Sequence, residues 1–380
     1  MKNDAQIFIC GDVVNKFKED GLLCSDEISN EVNSADFAIC NFEAPIEGKG
    51  KPARKPGICL NQKANTIIGL KKQGFDLLLL ANNHMLDYGQ EALMATINKA
   101  TENGLETIGA GENFSEAYRP LIKNINGIRV GMINVCEAQY GEIDSEDKES
   151  VGGYAWINHP MTERNILDLR KECDFVIVFA HAGLEYYSIP QREWRIKYKH
   201  FCDLGADVII GSHPHVPQGY ETYKKSIIFY SLGNFYFKSN KKSSKENASF
   251  AVKIKLELNQ PISFQLIYHY MSEDIVKADH DSRVNVAELN ALLANNVYMI
   301  QHTKMIEEAY NGIRKNLALS VFLPVPLSGK FKDFFRMFVS HIFKRNCIKY
   351  KDLYQLHLLK NETYYYVIKN ALELKSNRNN

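Results

Sequence analysis

The chain carries residues suited to holding cations or moving protons at Asp12, Glu43, Asn83, His84, Asp87, His181, Glu185, His213 and His215. Carboxylate, amide oxygen and imidazole together suit hard-to-borderline divalent ions such as Mn, Fe(II) or Zn. No cysteine falls at these positions, which argues against a structural thiolate site. A carboxylate such as Glu43 can bridge two ions, and two ions ~3.5–4 Å apart can activate a water and clamp a phosphate ester. Taken singly, each residue has a plainer reading: Asp12 as a turn or cap, Glu43 as a solvated carboxylate, Asn82-Asn83 as a turn pair. His213-Pro214-His215 is the stronger signal, because two imidazoles two residues apart on an extended segment face the same way.

What joins these residues is their place after apolar, strand-like runs. Asp12 follows Gln6–Cys10, and Asn41 and Glu43 follow Phe37–Cys40. Asn82, Asn83, His84 and Asp87 follow Leu77–Ala81, and His181 follows Phe175–Ala180. His213 and His215 follow Val208–Gly211, and Asn234 follows Ile227–Leu232. Val130–Val135 reads as a further strand. Helical periodicity covers Gln62–Gln73, Gln90–Asn103, Met161–Cys173 and Glu193–Leu204. Strands and helices in alternation predict an α/β fold with a buried, largely parallel sheet. Ligands of such sheets bind outside the carboxyl ends of the strands, so these side chains should converge on one edge.

Past Ser239 the pattern changes. Phe250–Leu258 and Ile262–Met271 read as an antiparallel hairpin turned at Asn259–Pro261, and helix predominates from about Val284 until a strand-like Tyr364–Val367. This places a strand-and-helix domain over residues 1–275 and a mostly helical extension over 276–380.

The composition of the 380-residue chain, 45% hydrophobic and 24% charged, is that of a globular protein and excludes global disorder. A formal net charge of +1 gives no general pull toward nucleic acid. The opening MKNDAQIFICGD does not read as a secretory signal, and the eight cysteines show no CxxC spacing. A reduced, cytoplasmic chain is the expectation. Lys330–Tyr350 adds a stripe of Phe331, Phe334, Phe335, Phe338 and Ile342 among basic residues, which more often packs on its own domain, with peripheral membrane contact of the C-terminal region as the alternative.

Six segments between Ile7 and Phe237, ICGDVV, ADFAICNFEAPI, GFDLLLLANNHMLDYG, VIVFAHAGLEYYSIP, LGADVIIGSHPHVPQGYE and IIFYSLGNFYF, carry a resemblance. In that order they resemble the CapA-type capsule and poly-γ-glutamate biosynthesis family, which is similar to the calcineurin-like metallophosphatases. The resemblance implies a four-layer αββα sandwich with one or two divalent metal ions at the sheet edge. It implies Asp12, Glu43 and His215 around one ion, and Glu43, Asn83, His181 and His213 around the other. His84 would contact the substrate and protonate the leaving group. Phosphatases carry Asp-x-His at the first motif, whereas this chain has Asp12-Val13-Val14, so the first site should be the weaker one.

Around that set, Asp87 is expected to orient His84, and Glu185 to act as a base or acceptor. Arg54 and Lys55 would clamp an anion, and Asn82 and Asn234 would line the substrate site. The resemblance implies a metal-dependent hydrolase of phosphoesterase type, acting on an anionic polymer or phosphoester in capsule or envelope polysaccharide or poly-γ-glutamate production. Two alternatives stay open: a non-catalytic, metal-stabilised scaffold of a capsule synthesis complex, and an amide hydrolase or transferase on γ-glutamyl polymer.

Overall fold

The computed structural model describes residues 4–147, 151–238, 248–281, 283–313 and 351–378. The first sheet holds β1 (Asp4–Val14), β2 (Phe37–Phe42), β3 (Leu77–Leu79), β4 (Glu106–Ile108), β14 (Asn234–Phe237), β15 (Ala248–Glu257), β16 (Ser263–Ser272) and β17 (Ile275–Ala278). Their order is β17-β16-β15-β1-β2-β3-β4, with β14 paired to the end of β1. The second sheet holds β6 (Leu121–Ile125), β7 (Ile128–Cys136), β10 (Phe175–His181), β11 (Val208–Ser212), β12 (Tyr220–Tyr223) and β13 (Ser226–Phe229), ordered β12-β13-β11-β10-β7-β6. A small third sheet joins β5 (Ala110–Gly111), β8 (Glu142–Ile143) and β9 (Gly153–Ala155).

The central strands are parallel: β1 to β2, β2 to β3 and β3 to β4 in one sheet, and β7 to β10, β10 to β11 and β11 to β13 in the other. Their interior residues are mostly apolar because both faces are buried, with the edge strand β4 (Glu106-Thr107-Ile108) the exception. Ile7, Ile9, Ile39, Leu77 and Leu79 of the first sheet share one core with Val130, Met132, Ile177, Phe179 and Ile210 of the second. The alternate residues Phe8, Cys10, Ala38, Cys40 and Leu78 face outward, under α1 (Asp26–Asn33), α2 (Asn65–Lys72) and α3 (Gly89–Glu102). On the far side, Val176, Val178 and Ile209 are covered by α5 (Pro160–Glu172), α6 (Arg192–Leu204) and α8 (Asn295–Ile313). The result is the expected four-layer αββα sandwich, with α4 (Phe114–Ala117) and α7 (Val286–Ala291) as short connectors.

Helix continues after residue 350 as α9 (Lys351–Lys360) and α10 (Glu362–Arg378). Tyr364–Val367 is therefore helical, not a strand. Thr363, Val367 and Ala371 are buried at four-residue spacing, and Val367 and Ala371 join the core beneath the second sheet. That tertiary contact overrides the β preference of a tyrosine run. The stripe in Lys330–Tyr350 lies outside the described residues. Among the described residues, no helix is long and apolar enough to cross a membrane, and seven cysteines are free thiols.

One buried histidine makes stability depend on pH. His269 of β16 is 1% exposed, and neither ring nitrogen has a partner. Burial pulls its pKa from 6.5 down to about 3, against a weaker upward pull from Asp279. The unfolded chain takes up a proton below about pH 6.5 that the folded chain refuses, so stability is lost as pH falls from there toward 3. Near pH 5 the loss is about 2 kcal/mol. Denaturant unfolding at about pH 7.5 and pH 5 should show His269→Leu escaping this part of the acid loss. Equal losses in variant and wild type would show that the folded chain accepts the proton.

Candidate metal centre

The carboxyl ends of β1, β2, β3, β10 and β11 open onto one side of the sandwich, and the candidate ligands gather there. Asp12 sits where β1 slips register against both β2 and β14. Its backbone N–H donates to Gly233 O at 3.2 Å. A Cβ at Gly11 would lie 1.8 Å from that same carbonyl, so only glycine lets the 233 loop close over the strand. Asn41 Nδ2 donates to Asp12 Oδ1 at 2.7 Å and lies 3.2 Å from His181 Nδ1, tying the two sheets together.

Glu43 follows β2, and Ala44 beside it holds φ at 127°. Glu43 Oε1 lies 3.8 Å from both His181 Nε2 and His215 Nε2. The loop after β3 is shaped by Asn82, whose Oδ1 accepts the His84 N–H at 3.2 Å while Nδ2 donates to Phe42 O at 3.0 Å. Next to it, Asn83 Oδ1 lies 3.1 Å from His181 Nε2. His215 Nδ1 lies 3.0 Å from Asn234 Oδ1 and 3.3 Å from Asp12 Oδ2.

The His213–His215 segment is not extended. His213 and His215 take φ of 95° and 60°, a left-handed backbone that costs of order 1–3 kcal/mol per residue. This turn, rather than strand alternation, sets the ring centroids 5.8 Å apart. His213 also stands 4.7 Å from the His181 ring.

Three sets of side chains each bring ligand atoms within 4.8 Å of one another: Asp12, Glu43 and His215; Glu43, His181 and His213; and Glu185, His213 and His215. Burial drives the electrostatics. It pushes Glu43 well above the usual carboxylate range, against the pull of His215. It holds His181 and His213 well below 6.5, reinforced by neighbouring histidines. For His215 burial acts downward, but Glu43 and Asp12 outweigh it and raise the pKa to about 10.

Glu43 Oε1 and Oε2, Asp12 Oδ2 and His213 Nδ1 are buried without a hydrogen-bond partner. Each such atom costs ~1–3 kcal/mol when left unsatisfied. These carboxylate oxygens and this imidazole nitrogen belong to residues of the overlapping ligand sets and are the donor types a divalent cation takes, so the residues present fit one.

The other sequence-selected residues surround this core. His84 Nδ1 lies 2.6 Å from Asp87 Oδ2. Asp87 is fully buried, accepts the Leu60 N–H at 2.6 Å and pairs with Lys55. Lys55 Nζ also reaches Asn83 O at 3.4 Å, so its charge is committed inside the site. Arg54 is exposed on the same loop. Sequence reasoning did not select Glu137 and Gln139. Gln139 Nε2 lies 3.1 Å from His213 Nε2 and donates to Glu137 Oε1 at 2.5 Å. The signal was present, since Glu137 directly follows the apolar run of β7.

The family model described as bacterial capsule synthesis protein PGA_cap matches residues 7–239, which contain every candidate ligand above. This chain belongs to that family. The capsule biosynthesis protein CapA of Bacillus anthracis is 35% identical over 245 residues, 62% of this chain and 58% of that protein. The PGA biosynthesis protein CapA of Bacillus subtilis (strain 168) is 31% identical over 207 residues, 54% of each chain. The chain thus spans just over half the length of these curated PGA_cap relatives. Among solved structures, a phosphatase of Mycoplasma pneumoniae is 18% identical, with a TM-score of 0.44 over 76% of this chain and 100% of that one.

Proposed function

We propose that this PGA_cap chain is a metal-dependent hydrolase of phosphoesterase type, serving capsule or envelope polymer production alongside the synthesis machinery. The observation that carries the reading is the buried meeting of Asp12, Glu43, His181, His213 and His215, with both Glu43 oxygens unpartnered. Asp12, Glu43 and His215 would hold one cation, and Glu43, Asn83, His181 and His213 the other, with Glu185 at the rim beside His213 and His215. Bound there, divalent cations supply positive charge for an anionic ester and lower the pKa of a water.

The chain's own residues do the rest. Asp87 and Lys55 fix the His84 ring, leaving Nε2 as the nitrogen that meets the substrate and hands a proton to the leaving oxygen. Asn82 holds the loop that carries His84, Asn234 holds His215, and exposed Arg54 offers a guanidinium to an anionic polymer. The capsule and PGA biosynthesis roles named for the Bacillus relatives support that substrate class.

A second reading rests on Val14, which stands where phosphatases carry the histidine of Asp-x-His and is 1% exposed. With that ligand missing, the centre could instead be a metal-stabilised scaffold without turnover. The same cations would also serve amide hydrolysis or transfer on a γ-glutamyl polymer. Elemental analysis of protein purified without chelators, followed by phosphomonoester, phosphodiester and γ-glutamyl substrates, separates the three. The hydrolase reading expects stoichiometric Mn, Fe or Zn and turnover of a phosphoester. Stoichiometric metal with silence on every substrate establishes the scaffold, and absence of metal removes all three.

A further inference from the structure

Thr363, in the first turn of α10, lies well beyond the family-matched residues 7–239, yet it touches the network behind the metal centre. Its hydroxyl accepts the indole N–H of Trp194 at 3.0 Å. Its own proton therefore points the other way, and it donates to Glu137 Oε2. Gln191 Nε2 fixes the Thr363 carbonyl at 3.1 Å. The preceding Glu362 pins the helix start by accepting the Ala138 N–H at 2.7 Å and Asn158 Nδ2 at 2.8 Å.

Glu137 is fully buried. Its second oxygen accepts Gln139 Nε2 at 2.5 Å and lies 3.6 Å from His213 Nε2. With its nitrogen held there, Gln139 turns Oε1 to accept Asn83 Nδ2 at 3.1 Å. Asn83 in turn directs Oδ1 toward His181 Nε2. Only the oxygen end of an amide can bind a cation, and an unpinned amide presents either end. The donor direction is thus set step by step from the helix inward, through hydroxyl, carboxylate and two amides.

We infer that Thr363, Glu137 and Gln139 are positioning residues that hold Asn83 with its amide oxygen toward the cation site, making α10 a working part of the site. The inference rests on the metal-site reading above, and the experiment keeps the two apart. Mn²⁺ is titrated calorimetrically into the wild-type chain and four variants, with Fe²⁺ and Zn²⁺ titrated into the wild type as well and folding checked by circular dichroism. Partners of metal ligands typically tune affinity by 10–100-fold, so Thr363→Val and Gln139→Leu should bind roughly 10–100-fold more weakly. Thr363→Ser, which keeps the proton donor, should stay near wild type. So should Asn370→Ala, which removes only the contact of α10 with Glu193 Oε1 at 2.9 Å.

If Thr363→Val does not fold, Gln139→Leu decides, because Gln139 is only half-buried. Wild-type affinity in the folded relay variants overturns the inference. An equal loss in Asn370→Ala also overturns it, since helix docking alone would then account for the effect. A wild type that binds none of Mn²⁺, Fe²⁺ or Zn²⁺ removes the metal-site reading and this inference with it.

Discussion

The His84→Ala variant should lose roughly 10²–10⁴-fold in kcat, the range typical of a positioned acid or base, while its cation content stays that of wild type. The two outcomes separate because His84 belongs to none of the three ligand sets, whereas its Nδ1 is 2.6 Å from a buried, ion-paired Asp87. That contact fixes the ring by one edge, and on the proposed reading the opposite nitrogen, Nε2, would meet the substrate. Burial pulls the His84 pKa below 6.5, against the upward pull of Asp87. A proton donor with a lowered pKa gives a kcat/KM that falls as pH rises through it. A dianionic ester beside Nε2 favours the imidazolium, so the corresponding limb of kcat should lie at higher pH. If His84 accepts a proton instead, both limbs invert and activity rises with pH. Unchanged kcat in His84→Ala would remove the residue from the chemistry altogether.

A buried, largely parallel sheet is legible because central strands covered on both faces are mostly apolar runs, whereas the doubling into a four-layer sandwich is implied by the family resemblance alone. Phe175–Ala180 and Val208–Gly211 are such runs, and the structure starts β10 and β11 at the same residues. The rule that chemistry follows the carboxyl ends then selected Asp12, Glu43, Asn83, His181, His213 and His215. Applied to β7 as well, it would have selected Glu137, the residue directly after that strand.

Other features had no local signal. The left-handed backbone at His213 and His215 arises from the loop between β11 and the rest of the site, and a His-Pro-His triplet reads equally well as extended chain. Thr363 is 226 residues from Glu137, and nothing in NETYYYVIKN shows that its hydroxyl closes a network across that distance. A tyrosine run carries a strand preference of its own, and only docking on the second sheet imposes the four-residue burial pattern of Thr363, Val367 and Ala371. Strand β17 pairs with β16, and α10 meets the end of β7.

Cation removal should lower the melting temperature of the wild type sharply and leave that of Glu43→Gln almost unmoved. Glu43 is the one carboxylate common to two of the ligand sets, and both its oxygens are buried without a hydrogen bond. In the loaded wild type, a ligand at 100 times its Kd adds about 2.7 kcal/mol by mass action. If Glu43 bridges two cations as proposed, the glutamine variant lacks that charge, so it should bind at most one equivalent, weakly, and gain little.

Without cation the order reverses. Burial raises the Glu43 pKa well above 4.5. Its contribution to stability is therefore present below about pH 4.5 and is lost as pH rises through the folded-state value. At and above neutral pH, chelated wild type carries the strain of a buried group that is costly to ionise. Glu43→Gln carries none, so the chelated variant should melt above chelated wild type, with the gap widening as pH increases. Calorimetric melts with and without chelator at two pH values measure both effects. A wild type insensitive to chelation, or a chelated variant that melts below chelated wild type at high pH, would show that Glu43 serves packing rather than a cation.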